Sequence, residues 1–318
     1  MNAPFVKPDV AAFLQIVNAL PGPKMHEVNP AEARGKMIAM RNLAEAPLGD
    51  MAVNRMIEIP GPAGPMQAQI FDARAERGPG PVMLFFHGGG FVIGDLYVYA
   101  PYCALAAKSL DIPVISVDYR LAPEHPFPAA TDDCEAAARW AAAGPPGLDY
   151  QVTGLVLSGD SAGGNLTIVT AMTLRDRPAA VPVILQHPIY PAVSDHGDWP
   201  SMRDFAENHY LTRDDMAWFT RHYRPDMADY RGAPLLFDQT GMPPSLVTTA
   251  SLDPLRDQGL AYVEALKMAG VRAEHISAEG NIHGHITLRQ ALPSAQSEVE
   301  TNMDALRAML AEITPPND

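Results

Sequence analysis

The residues best suited to chemistry lie in LVLSGDSAGGNL (155–166), where Gly159-Asp160-Ser161-Ala162-Gly163 spells G-x-S-x-G. Alone the pattern is weak, since a chain of this length yields one by chance about one time in ten. Its setting gives it force. A buried strand is expected before it and a helix after it, as a nucleophile elbow requires. Such a turn strains the serine backbone and lifts the hydroxyl above the carboxyl edge of the sheet. It also sets Ser161 at a helix N-terminus, where the dipole favours developing negative charge. A β-carbon at Gly159 or Gly163 is expected to clash with neighbouring chain.

A serine hydroxyl is a poor nucleophile until a base takes its proton. On an alternating strand–helix scaffold the base follows a late strand and the acid follows the strand before it. SLVTTASLDPLRDQGLAY supplies Asp253, and EGNIHGH supplies His283 and His285. The chain order Ser, Asp, His is the order of this architecture. Spacing alone does not choose between the two histidines. Asp253 also reads as a helix cap ahead of Pro254, and Asp257 as a support for that turn.

Attack of serine on an acyl carbonyl makes an oxyanion, which takes two or three N–H donors aimed at one point. One donor is expected from Ala162, just after the nucleophile. The others are expected from His87-Gly88-Gly89-Gly90, in HGGGFVIGD (87–95) after the apolar PVMLFF. Glycines beside a core cost order, so their place there asks for work by the backbone itself. A phosphate loop is excluded: G-x-x-x-x-G-K-[ST] is absent, and neither glycine run fits G-x-G-x-x-G.

The elements that must hold these residues read as α/β. Short Val-, Leu- and Ile-rich strands are expected at 81–87, 113–118, 153–159, 181–187, 244–250 and 272–278, as in a buried parallel sheet. Helices are expected near 97–110, 127–143, 162–176, 255–269 and 295–312. MAVNRMIEI and PMQAQIFDA, split by PGPAG, predict an antiparallel edge hairpin. Two helices are expected before residue 50, the second opened by Asn29, Pro30 and Glu32. A long aromatic-rich insertion breaks the rhythm and reads either as a lid or as an extra helical layer that only packs, with the lid favoured by its length. Thr212 caps its helix, with Met216, Phe219 and Tyr223 on one face. The expected division is 1–50 and 190–236 as a helical cap, and 51–189 and 237–318 as a catalytic core. His26, His196, His209 and His222 fall in the cap and His125 in a proline-rich turn, which makes all five structural candidates.

With 37 acidic against 23 basic residues, the net charge is −14. That repels phosphate backbones and anionic lipid, so neither nucleic acid nor membrane is an expected partner. No apolar run reaches the length of about 18 residues that a membrane helix needs. VAAFLQIVNAL follows Asp9 and a lone Lys7 and is broken by Gln15 and Asn18, so an amphipathic helix fits better than a signal sequence. Cys103 and Cys134 fall in predicted helices without CxxC or metal-ligand spacing and are expected as buried free thiols. A cytoplasmic protein is the expectation.

HGGGFVIGD (87–95), DYRLAPEHPFPAA (118–130), GDSAGGNL (159–166), DPLRDQG (253–259) and EGNIHGH (279–285) together resemble the hormone-sensitive-lipase-like esterases, the bacterial family IV of GDSAG type. These anchors span about 87–285; the N-terminal helices and the insertion match the family's cap by position only. The resemblance implies the α/β-hydrolase fold, with a mostly parallel sheet flanked by helices and a helical cap. It implies a carboxylic ester hydrolase acting through Ser161, Asp253 and His283, with oxyanion donors at Gly89, Gly90 and Ala162. His283 is favoured because it stands immediately before Gly284. His285 departs from the usual His-Gly-Phe. His87 then braces its loop, and Tyr119, Arg120 and Glu124 stabilise the catalytic face. The role of Asp160 is left open. No cofactor or metal is required, and the expected partner is a small-molecule ester, with a homodimer possible. Met37, Met40, Trp218 and Phe219 either line an apolar pocket or pack the cap. The absence of an obvious lipid-facing patch favours short-to-medium acyl chains. An amidase or acyltransferase with the same triad, or a non-catalytic receptor on the same fold, are the alternatives.

Overall fold

The computed structural model describes residues 4–145, 147–194 and 197–314. In chain order the elements are α1 (Pro8–Ala19), α2 (Pro30–Ala44), β1 (Val53–Gly61), β2 (Gly64–Asp72), β3 (Gly80–Phe86) and α3 (Leu96–Leu110). Next come β4 (Val114–Val117), α4 (Ala129–Ala142), β5 (Val152–Asp160), α5 (Ala162–Asp176) and β6 (Val183–Ile189). The insertion carries α6 (Pro200–Asp204) and α7 (Arg213–Tyr223). The chain closes with β7 (Ser245–Leu252), α8 (Arg256–Met268), β8 (Ala273–Ile282) and α9 (Pro293–Ile313).

The eight strands form one sheet in the order β1-β2-β4-β3-β5-β6-β7-β8. The β1–β2 hairpin and its β2–β4 contact are antiparallel, and every other pairing is parallel. Side chains alternate across a strand, and β3 shows the consequence. Val82, Leu84 and Phe86 join an apolar layer with α4 and α5, while Met83 and Phe85 join another with α3 and α9. Burial on both faces explains why β3 reads as an unbroken apolar run. In register, Phe86 lies beside Gly159, so the loops after β3 and β5 leave the sheet together.

A third apolar cluster sits over the ends of β7 and β8. Val10, Phe13 and Leu14 of α1 and Ala44 of α2 meet Phe205, Leu252 and Ile282 there, with Met40 packed against them. Met40 thus serves packing. Asn29 caps α2 as expected, its side chain accepting from Glu32 N at 3.0 Å. Thr212 caps α7 through Asp215 N.

One expectation is corrected. The last strand runs to Ile282 instead of ending near 278, because the register shift between Ala250 and Leu252 lets Leu252 pair with Ile282. The polar EGN that reads as a loop is therefore strand, and His283 follows it at once. On α7, Phe219 and Tyr223 of the expected face pack against the core, Met216 is half-buried, and Asp215 and Trp218 are buried as well. His196 lies outside the described residues.

Candidate active site

Ser161 sits between β5 and α5 with φ 56° and ψ −116°. Non-glycine residues avoid that region, so the surrounding structure must hold it. Part of the hold is the Ser161 N–H, which donates to Ile189 O at 2.8 Å. The turn also needs close approach: a β-carbon at Gly163 would collide with the carbonyl of Phe86. The strained serine is thus built by packing α5 hard against the end of β3.

Asp253 and His283 follow β7 and β8, a paired couple of strands separated from β5 by β6. His283 Nε2 is 2.9 Å from Ser161 Oγ, and His283 Nδ1 is 2.6 Å from Asp253 Oδ2. A carboxylate only accepts, so Nδ1 carries the proton and Nε2 is left to accept from the serine hydroxyl. Asp253 is fully buried, and its other oxygen accepts the Leu255 N–H at 2.8 Å. It therefore caps the following turn and orients the histidine at once. Asp257 accepts from Ser201 N at 2.8 Å, tying α6 to α8, and Ser201 Oγ in turn donates to Pro254 O at 2.7 Å in the turn after Asp253.

His285 has a different environment. It is wholly buried, its Nδ1 bonds Ile282 O at 3.0 Å, and its Nε2 has no partner among the described residues. Burial pushes its pKa down to about 4, so it stays neutral. A second Ser–His pair, Ser158 Oγ to His187 Nδ1 at 3.2 Å, is buried in the sheet, and burial takes His187 down to about 3. Of these three histidines, only His283 meets a serine at the elbow.

The glycine loop lies beside the elbow. The N–H groups of Gly89, Gly90 and Ala162 have no acceptor among the described residues, whereas Gly88 N donates to Asp160 Oδ1 at 2.7 Å. His87 is buried, with its ring stacked 4.3 Å from that of Tyr119, and its carbonyl accepts the Tyr119 hydroxyl at 2.7 Å. It braces the loop, as expected. Arg120 pairs with the buried Asp133, and Glu124 takes both terminal nitrogens of Arg34 at 2.9 and 2.7 Å. Arg34 also donates to Val92 O and Ala122 O, so α2 holds the glycine loop from behind. That pair pulls the Glu124 carboxyl down to about 2. A cavity of about 460 Å³ lies behind the loop, lined among others by Arg34, Asp118 and Arg120. Ser161 does not line it.

Several contacts at the site carry no signal in the sequence. Phe219 of α7 packs directly on Gly90, where any β-carbon would run into its ring. Tyr223 stacks on Phe91 with centroids 3.8 Å apart. His26 Nδ1 meets Asp215 Oδ1 at 2.8 Å, joining the N-terminal segment to the insertion. Tyr190 packs its ring 4.5 Å from that of His283. The roles of Arg34 and Tyr190 had no local signal, because each depends on elements far apart in sequence.

A family profile described as alpha/beta hydrolase fold matches residues 83–287. Esterase LipI of Mycobacterium tuberculosis is 36% identical over 262 residues, covering 80% of this chain and 81% of that protein. The ethyl acetate hydrolase of Pseudomonas putida is 30% identical, covering 96% and 99%. Among solved structures, the ester-hydrolase EH1AB1 from the metagenome of Lake Arreo, complexed with a bipyridine phosphonate derivative, superposes with a TM-score of 0.90. It is 33% identical and covers 95% of this chain and 98% of its own. The chain belongs to the hormone-sensitive-lipase-like serine carboxylesterases of the α/β-hydrolase fold.

Proposed function

We propose that Ser161 is the nucleophile, His283 the general base and acid, and Asp253 the group that orients His283. Gly89, Gly90 and Ala162 supply the oxyanion N–H donors. His283 Nε2 takes the hydroxyl proton as Ser161 Oγ attacks the acyl carbonyl, and Asp253 stabilises the imidazolium that forms. The tetrahedral intermediate collapses, and the alkoxide leaves with the proton from His283. Water, deprotonated by the same nitrogen, then releases the acid and regenerates the serine. The observation that carries this reading is the 2.9 Å contact from Ser161 to His283 at a strained elbow, continued at 2.6 Å to Asp253.

Phosphonate labelling tests it, because phosphonates mimic the tetrahedral intermediate. A p-nitrophenyl alkylphosphonate is expected to add one alkylphosphonyl group, located on Ser161 by peptide mass mapping, with complete loss of esterase activity. Label on another residue, or activity that survives full labelling, would sink the assignment.

Residues 1–50 and 190–236 form the cap in this reading, and 51–189 with 237–318 the core. The His26–Asp215 contact supports pairing the two cap pieces. The preferred substrates are short-to-medium acyl esters, since Phe219 roofs the glycine loop. Across p-nitrophenyl esters from acetate to palmitate, kcat/KM is expected to peak below decanoate. Phe219→Ala is expected to move the peak to longer chains. A wild-type optimum at decanoate or beyond would overturn the chain-length assignment. We place the enzyme in the cytoplasm, a reducing compartment that suits the buried free thiols Cys103 and Cys134.

A further inference from the structure

Asp160 stands between Gly159 and the proposed nucleophile, as the last residue of β5. It is only 2% exposed. A buried carboxylate is costly unless hydrogen bonds or a counter-charge offset the loss of water. Among the described residues its hydrogen-bond partners are three donors on three segments. Gly88 N donates to Oδ1 at 2.7 Å, while the hydroxyls of Tyr99 and Tyr190 reach Oδ2 at 3.2 and 3.3 Å. The bond to Gly88 is the shortest, and charge-assisted bonds of this kind are about twice as strong as neutral ones.

Gly88 immediately precedes the two glycines whose N–H groups have no acceptor among the described residues. Its own amide is turned away from the oxyanion site and onto Asp160. Fixing that peptide sets the direction in which the next two leave it. The fit is tight, since a β-carbon at Gly88 would stand 2.5 Å from Asp160 Oδ2 and 2.8 Å from the Tyr99 hydroxyl. Tyr99 also stacks on His87, and Tyr190 lies against the ring of His283. One carboxylate therefore touches the anchors of the glycine loop and of the base, and its backbone runs into Ser161.

We propose that Asp160 is a positioning residue that holds the Gly88 peptide, and so aims the Gly89 and Gly90 N–H groups at the oxyanion formed on Ser161. It rests on the serine reading above. Asp160 touches neither substrate nor reacting atom in this role. An acceptor at the Oδ1 position is what the role requires. Asparagine keeps one; leucine has none; the hydroxyl of serine is too short to reach Gly88 N.

The test compares Asp160→Asn, Asp160→Leu and Asp160→Ser on p-nitrophenyl butyrate. Each kcat is taken per active site, counted by end-point phosphonate titration. Inhibition by an alkyl trifluoromethyl ketone, whose hemiketal oxyanion occupies the same donors, is measured alongside. Asp160→Asn is expected to keep kcat within about tenfold. Asp160→Leu is expected to lose about 10²–10³-fold in kcat, the range for one lost oxyanion donor, with KM changed by less than about threefold. The ketone Ki is expected to rise in parallel with the fall in kcat. If the leucine variant does not fold, Asp160→Ser against Asp160→Asn decides, with the serine variant expected at least about tenfold slower. Equal kcat for the asparagine and serine variants would overturn the proposal. So would a leucine variant with wild-type kcat, or lost activity with an unchanged ketone Ki. Failure of wild-type protein to take up phosphonate would instead count against the serine reading itself.

Discussion

Replacing His283 by alanine is expected to lower kcat by about 10⁶-fold, the scale seen when a serine hydrolase loses its base. His285→Phe is expected to leave kcat within about fivefold. The two histidines are two residues apart, yet their surroundings differ completely. His283 bonds Ser161 with one nitrogen and Asp253 with the other. Among the described residues His285 hydrogen-bonds only the Ile282 carbonyl, and it remains neutral because burial lowers its pKa to about 4. Phenylalanine gives up that one hydrogen bond and also removes a buried nitrogen without a partner. The net stability change is expected to stay within about 1–2 kcal/mol. Steady-state kinetics with p-nitrophenyl butyrate and thermal melts of both variants read the difference. A large kcat loss in His285→Phe at unchanged stability would reassign the base.

Gly89→Val is expected to reduce kcat by at least about 10²–10³-fold, equivalent to about 2.7–4 kcal/mol of transition-state stabilisation. Gly89 has φ +113°, which a β-branched residue rarely adopts. Its β-carbon would also collide with the Ile93 carbonyl and stand 2.9 Å from Ile93 Cγ1. The same carbonyl loop is held by Val92 and Ile93, whose N–H groups donate to Gly89 O at 3.0 and 2.9 Å. Relief of the clash must therefore rotate the peptide that carries the proposed donor. Gly144→Ala provides the control. Gly144 also has positive φ, at +60°, but nothing lies within 4 Å of its β-carbon. Backbone strain of about 1–2 kcal/mol is expected there, with kcat unchanged. If Gly89→Val and Gly144→Ala lower the melting temperature alike and neither changes kcat, Gly89 is not an oxyanion donor.

Much of the fold was legible in local pattern. The apolar run Pro81–Phe86 reads as a strand because both its faces are buried, and α5 begins at Ala162 as expected from the turn before it. The end of β8 was not legible. Its polar residues Glu279, Gly280 and Asn281 carry a loop composition, but the ladder to β7 keeps them extended. The full inward face of α7 was only partly legible: Phe219 and Tyr223 were placed on one face, but the burial of Trp218 and Asp215 was not. A helical period places residues around an axis; the partner surface chooses which side of that axis is covered.

Residue types at short spacing were enough to name a nucleophile candidate, an acid candidate and the glycine loop as the candidate source of oxyanion donors, because elbow and loop each need particular residues close together. Spacing left His283 and His285 open, and the resemblance alone favoured one. Which imidazole meets a serine emerges only in the folded chain, since that depends on where β8 ends relative to β5, with β6 and β7 lying between them in the sheet. The fold likewise placed Phe219 on Gly90 and Asp160 under Gly88. Those contacts join residues more than seventy positions apart or separated by a cap. Short-range spacing carries no information about them; only the closing of the chain into one packed sheet brings them within reach.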